Sequence, residues 1–170
     1  MLDFVFVFSD TYVSILTMGN KNEPNKLHYL LHSAALVEKH LSAMLLPLGL
    51  GPRQARVIDA LDRMGSASQI DLARECGITA ASMSTMTTRL ITAGYISRET
   101  DPNQLRRNTL CLSKHGLALL KDIKKTWSEV DAVIEESIGV EKAATLSNLA
   151  LELRNALGGH TPGDNNHLND

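Results

Sequence analysis

Hydroxyl side chains crowd one stretch of the sequence, "TAASMSTMTTRLITAGYI" at residues 79–96, and no carboxylate occurs between Thr79 and Arg98. On a helix, its apolar residues share an inner face made of Met83, Met86, Leu90 and Ile91. The opposite face carries Thr79, Ser82, Ser84, Thr85, Thr88 and Arg89. Short hydroxyl side chains allow close approach to DNA, and they hydrogen-bond to base edges and phosphates. The alternative is that they are neutral residues of an exposed helix, although serine and threonine are poor helix formers.

One arginine, Arg89, lies within this stretch, and three more follow it at positions 98, 106 and 107. Arg106 and Arg107 belong to "DPNQLRRN", residues 101–108, a polar and turn-rich segment that is predicted to form the tip of a β-hairpin. At such a tip they could reach a minor groove, where the negative potential of DNA is strongest. The alternative is that both arginines are simply solvated. Arg98 is predicted to order the hairpin or to contact a phosphate.

Charge is unevenly distributed along the 170 residues, although the net charge is only −2. Between Gly51 and Lys125 there are 12 Lys/Arg against 7 Asp/Glu, and the remainder has 5 Lys/Arg against 12 Asp/Glu. The middle is therefore at +5 and the two ends together at −7. A basic middle between acidic ends indicates a polyanionic partner.

The elements that would position these residues are a helix-turn-helix and a β-wing. In "SASQIDLARECG", Ser68 and Asp71 have the spacing of a capping box, with Ile70, Leu72 and Ala73 predicted to face inward. Gly77 ends this helix, and a second helix begins near Thr79. Two strand-like segments, "YISRET" and "TLCLS", then flank residues 101–108. The pattern predicts a mainly α fold, a winged helix-turn-helix with a two-stranded wing.

Long helical patterns flank this central part. Apolar residues recur at spacings of three and four from Leu27 to Leu45, from Leu117 to Ile134, and from Leu146 to Leu157. The winged helix can cover only part of these apolar surfaces, so a partner is expected. The predicted organisation is an apolar leader of uncertain status (1–20), a helical dimerisation region (21–48 and 117–158), a DNA-binding domain (49–116) and a disordered tail (159–170).

The stretch from about Gly49 to Gly116 resembles the MarR family of bacterial transcription regulators. "GLGPRQARVIDAL", "RLITAGYISRETDP" and "TLCLSKHG" are similar to the family's second helix, its segment from recognition helix to wing, and its second wing strand. The resemblance implies a homodimer on palindromic double-stranded DNA, often a repressor that a small phenolic molecule releases. The two cysteines have no paired spacing, so a reducing cytoplasm is the expected location. The chain departs from the family at Ser84–Thr85, which often read Thr-Arg, and at Gln104, where Asp is common.

The sequence gives weaker support to other functions. The sequence has no Gly-rich phosphate loop and no nucleophile elbow, so no enzymatic activity, cofactor or metal site is expected. His28 and His32 are one turn apart and could begin a zinc site with Glu38 and His40, but need further ligands. Cys76 and Cys111 could sense oxidants, although buried apolar roles are more usual. A winged helix that binds protein rather than DNA is the remaining alternative, and it would not require Arg106 and Arg107.

Overall fold

The structure is a computed structural model that describes residues 25–101 and 104–160, with side chains for residues 25–99 and 109–160. The chain divides into two compact units, residues 1–36 and residues 37–170. The predicted leader, residues 1–20, lies outside the described residues, and so do residues 161–170 of the predicted tail. No described helix is long and apolar enough to cross a bilayer.

Six α-helices and a two-stranded sheet make up the described chain, which confirms the predicted fold class. The first helix, α1, is followed by a short 3-10 turn at Leu46–Leu48, and the sheet separates the fourth and fifth helices. The elements are α1 (Lys26–Leu45), α2 (Pro52–Met64), α3 (Gln69–Glu75), α4 (Ala80–Thr92), β1 (Ile96–Asp101), β2 (Gln104–Leu112), α5 (Lys114–Ile138) and α6 (Val140–Ala156).

The sheet is an antiparallel hairpin whose base joins the core. Its register runs from Ile96 opposite Leu112 to Thr100 opposite Asn108, and it is irregular beyond that pair. Ala67 adds an isolated bridge to Leu110, with backbone hydrogen bonds of 3.1 and 2.8 Å. Both Ile96 and Leu110 are buried, so the hairpin begins in the core and extends away from it as a wing.

The wing extends further than the sequence predicts. Asp101 pairs with Gln104, so most of the segment 101–108 is strand and not a loop. Because the partner shifts from Asn108 to Gln104 between adjacent residues of β1, residues 105–107 are the extra length on β2. Strand pairing is made by backbone hydrogen bonds and does not require apolar side chains, so a polar segment predicted to be a loop can form a strand. Arg106 and Arg107 therefore lie in an irregular part of a strand, and their side chains are outside the described ones.

One core brings together residues from α2, α3, α4, the wing and α5. Its fully buried side chains include Ile58, Leu61, Leu72, Met83, Leu90, Leu110 and Ile123. The prediction that Ile70 faces inward is wrong, because its side chain is 71% exposed. A seven-residue helix makes only two turns, so Leu72 and Ala73 are enough to fix its buried side.

Apolar residues on two of the flanking helices stay exposed in the single chain. No residue of α6 is buried, and α1 buries only Leu45. On α6 and at its C-cap, the exposed side chains include Leu146, Leu149, Leu153 and Leu157, which follow the predicted spacing of three and four. In the unit of residues 1–36, Leu27, Leu30 and Leu31 are exposed as well. Apolar surface of this extent is typical of a surface that another molecule covers.

Candidate DNA-binding surface

The turn between α3 and α4 is fixed by local hydrogen bonds. Ser68 caps α3, since its Oγ accepts from the backbone N–H of Asp71 at 3.1 Å. Gly77 adopts a φ of +62°, in the left-handed region that favours glycine. The backbone N–H of Ile78 then donates to the carbonyl of Ala73 at 3.0 Å, which closes the turn. These contacts confirm the helix-turn-helix that the sequence predicts.

Thr79 begins the second helix of the motif as its N-cap. Its Oγ1 accepts from the backbone N–H of Ser82 at 3.2 Å and donates to Ser82 Oγ at 2.9 Å. Thr79 is exposed, so the same hydroxyl that starts the helix lies at its outer end. The residue therefore supports the fold of α4 and also belongs to its accessible surface.

The inner face of α4 holds the helix against the core. Met83, Thr87 and Leu90 are buried, and Met86 and Ile91 pack partly buried against them. Thr87 belongs to the hydroxyl-rich run but not to its accessible face. Its hydroxyl lies 2.9 Å from the carbonyl of Met83 and 3.3 Å from Gln69 Oε1, so no buried polar group is left unsatisfied there.

The outer face of α4 carries every residue that the sequence predicts for it. The exposed residues are Thr79, Ser82, Ser84, Thr85, Thr88 and Arg89. Two of the threonines donate their hydroxyl protons to backbone carbonyls one turn earlier. Thr85 Oγ1 donates to Ala81 at 3.2 Å, and Thr88 Oγ1 donates to Ser84 at 2.8 Å. Arg98 on β1 is also exposed. Contact of these residues with DNA stays a prediction.

Two arginines that the sequence analysis did not select lie beside this face. Arg53 and Arg56, on the first turns of α2, line a cleft of about 370 Å³ together with Thr79 and Ser82. Arg53 also lines a second cleft, of about 520 Å³, with Thr85 and Arg89. Among the described side chains, none forms an ion pair or hydrogen bond with Arg53, Arg56 or Arg89. The N-terminal half of the hydroxyl face is thus bordered by the guanidinium groups of α2.

The possible sensor residues do not form a site in the described part of the chain. The rings of His28 and His32 have centroids 5.7 Å apart, but no described group of three His, Cys, Asp or Glu side chains is placed to hold a metal ion. Burial raises the pKa of the Cys76 thiol, and the carboxylate of Glu75 raises it further. Burial also raises the pKa of Cys111, with a smaller contribution from Glu99.

Comparison with known proteins identifies the family of this chain. The model of the MarR family matches residues 48–107, from just before α2 into the wing. The regulator FarR of Neisseria gonorrhoeae is 35% identical over 101 residues, which cover 59% of this chain and 69% of FarR. The uncharacterised regulator YcgE of Bacillus subtilis is 32% identical over 82 residues, 48% of this chain. That match spans about half of the length of YcgE, 53%.

Solved structures share the fold over most of the chain. A cysteine-to-serine variant of MarR from E. coli, complexed with operator DNA, superposes with a TM-score of 0.65 at 19% identity. The match covers 85% of this chain and 99% of that one. NadR in complex with 4-hydroxyphenylacetate superposes with a TM-score of 0.59 at 27% identity, over 79% of this chain and 96% of NadR.

Proposed function

Because this chain belongs to the MarR family of transcription regulators, we propose that it binds a specific duplex DNA sequence as a homodimer and is a ligand-responsive repressor. The observation that carries the proposal is the outer face of α4. It is exposed, rich in hydroxyl groups, free of carboxylates from Thr79 to Arg98 and bordered by Arg53 and Arg56. A carboxylate on such a face would repel phosphates, whereas guanidinium groups bind them.

The proposed mode of binding places α4 in the major groove and the wing over the adjacent minor groove. Arg106 and Arg107 make the contacts of the wing with DNA, and Arg98 contacts a phosphate or orders the hairpin. A twofold dimer binds a palindrome whose half-sites are separated by one helical turn, roughly 34–36 Å. The proposed role consists of binding, without a catalytic step, in the cytoplasm where bacterial chromosomes lie. The solved complex of the E. coli MarR variant with operator DNA has the same fold and supports this mode.

The homodimer is supported by the exposed apolar residues of the flanking helices. Leu149 and Leu157 are 57% and 78% exposed in the single chain. Covering such side chains stabilises an interface by about 25 cal/mol for each Å² of apolar area removed from water. We propose that a second copy of this chain buries these residues, because it also supplies the second helix-turn-helix that a palindrome requires.

The experiment selects bound duplexes from a random library with the purified protein and then footprints the selected sequence. We expect a palindrome, and an affinity that falls steeply with salt because each neutralised phosphate releases counterions. Arg89→Ala should weaken binding at least tenfold, while Lys142→Ala, an exposed cation on α6, should leave it unchanged. Binding that is indifferent to salt and sequence, or none, would instead favour the protein-interaction module.

The cleft beside α4 favours an acidic aromatic effector. Its volume is about 520 Å³, and it is lined by the apolar side chains of Pro52 and Met86, by the guanidinium groups of Arg53 and Arg89, and by the carboxylate of Glu38, so that two positive groups face one negative group. A ring can pack on the apolar part while a carboxylate pairs with a guanidinium. Because Arg89 belongs to both the cleft and the outer face, an acid bound there competes with DNA. NadR, which has this fold, was solved with 4-hydroxyphenylacetate.

Titration of a labelled operator complex with 4-hydroxyphenylacetate tests the effector proposal. We expect release of DNA, and no release by 4-hydroxyphenylethanol, which has the same ring but no carboxylate. Arg53→Ala should reduce the response to the acid more than Pro52→Ala does, since only the first substitution removes the charge. Equal potency of the acid and the alcohol would contradict the proposed role of the arginines.

A further inference from the structure

The hydroxyl protons of two threonines on the outer face of α4 are already in use within the helix. Thr85 donates its proton to the carbonyl of Ala81 at 3.2 Å, and Thr88 donates to that of Ser84 at 2.8 Å. A hydroxyl group has one proton, so each oxygen offers only lone pairs outward, together with the γ-methyl group. Both side chains are exposed, so these groups are accessible to a ligand of α4.

The four bases differ in what they present to such groups in the major groove. Adenine presents an amino donor at N6 and cytosine one at N4, thymine presents a 5-methyl group, and guanine presents two acceptors, N7 and O6. An oxygen that only accepts pairs with the amino group of adenine or of cytosine. A threonine methyl group packs on a thymine 5-methyl group, and this contact distinguishes A·T from G·C. Two acceptors of guanine require donors such as an arginine, and Arg89 is the only arginine or lysine of α4, in its last turn.

We propose, on the basis of the proposed DNA-binding function, that Thr85 and Thr88 select A·T pairs at the centre of each half-site. Their γ-methyl groups contact thymine 5-methyl groups, and their oxygens accept from adenine N6. The hydrogen bonds of the free helix leave both threonines without a donor for guanine, and their γ-methyl groups favour thymine. Arg89 and the arginines on α2 add affinity through phosphates without selecting the central pairs.

The decisive experiment removes single methyl groups from both sides of the contact. Deoxyuridine in place of thymidine deletes only the 5-methyl group of the base. Threonine to serine deletes only the γ-methyl group, while threonine to valine keeps a methyl group and deletes the acceptor. Affinities are measured for wild type, Thr85→Ser, Thr88→Ser and the two valine variants on the selected operator, with circular dichroism to confirm folding.

Wild type should lose about fourfold in affinity for each contacted thymine methyl group that is removed. The matching serine variant should lose a similar factor on thymidine DNA and then be indifferent to deoxyuridine. The matching valine variant should keep its sensitivity to deoxyuridine. Selected half-sites with G·C at the centre, or wild-type binding that is indifferent to deoxyuridine, would overturn the assignment while DNA binding stands. Retained sensitivity in both serine variants would overturn it too, whereas absence of binding to every duplex would refute the proposed function itself.

Discussion

The backbone of Gly116 lies directly against the carbonyl oxygen of Tyr95, and a β-carbon at Gly116 would overlap that oxygen. The contact joins the first turn of α5 to the segment between α4 and the wing. Ser113 reinforces it, because its Oγ donates to the carbonyl of Gly94 at 2.6 Å and accepts from the N–H of Gly116 at 3.0 Å. The close packing of α5 against the segment between α4 and the wing therefore depends on a residue without a side chain.

Replacing this glycine should destabilise the protein. Gly116→Ala is expected to lower the free energy of unfolding by about 1–3 kcal/mol, because a backbone carbonyl cannot move aside as a flexible side chain can. Gly51→Ala is the control for a glycine with open space, since its added β-carbon meets nothing closer than Gln54 Oε1 at 3.7 Å, and it also changes the N-cap of α2. Urea denaturation measures both variants, and a Gly116→Ala protein as stable as wild type would contradict the role of the contact.

Thr79 allows the folding and binding roles of α4 to be separated. Thr79→Ala removes an N-cap and should cost about 1 kcal/mol in the free energy of unfolding. Thr79→Asp keeps a capping oxygen and adds a charge that the helix N-terminus favours, so its stability should be close to wild type. The same carboxylate faces the proposed DNA phosphates, so affinity for the operator should fall at least tenfold. Thermal unfolding and anisotropy titration give the two values, and unimpaired binding by Thr79→Asp would exclude Thr79 from the interface.

The helix-turn-helix was predictable because its signals are local. Ser68 bonds to a backbone group three residues on, and Gly77 needs only its own left-handed conformation. The burial of Met83 and the exposure of Ser82 follow from helical periodicity alone. Short-range patterns thus placed the elements and the accessible face of α4.

Long-range proximity could not be predicted in the same way. Arg53 and Arg56 precede Thr79 by more than 20 residues, and no periodicity shows that the start of α2 lies beside α4. The exposure of Ile70 could not be predicted either. An apolar side chain is expected to be buried, and which side of so short a helix is buried is decided by tertiary packing. In the wing, polar residues that were expected to form a loop pair as strands. Hydropathy does not reveal this pairing, because it depends on backbone hydrogen bonds.

The exposed leucines of α6 predict that a single charge prevents dimer formation. Leu149→Arg should convert the protein into a monomer, because the guanidinium would be buried without a partner in the interface. Asn148→Arg places the same charge on the neighbouring exposed position and should remain dimeric. Sedimentation velocity measures the oligomeric state. Affinity for the palindrome should fall about a hundredfold or more in the monomer, since two half-sites are then bound independently. A dimeric Leu149→Arg protein would place the interface elsewhere.

The two thiols should react slowly at neutral pH. Burial raises the pKa of Cys76 and of Cys111, so the thiolate, which is the reactive form, is scarcer at pH 7 than in an ordinary cysteine. We expect alkylation by iodoacetamide to be slower than that of glutathione at pH 7 and to accelerate as the pH rises. Peroxide should leave operator binding unchanged in wild type and in the Cys76→Ser, Cys111→Ser double variant. Loss of binding in wild type alone would establish the thiol sensor.

The extra length of β2 at residues 105–107 predicts how the wing contributes to affinity. An irregular strand twists more strongly and redirects its side chains, which suits a hairpin that follows a groove. Arg106→Ala and Arg107→Ala should each weaken operator binding by about 1–3 kcal/mol if the side chain enters the groove, with the loss depending on the flanking A·T content. If the side chain contacts only phosphate, its removal should instead weaken binding equally on all sequences and reduce the salt slope by about one.

Titrations at several salt concentrations, on operators with A·T or G·C flanks and with Lys142→Ala as control, separate the two cases for each arginine. Wild-type affinity in both variants at matched salt would remove the wing from the interface and leave α4 as the sole reader of the operator.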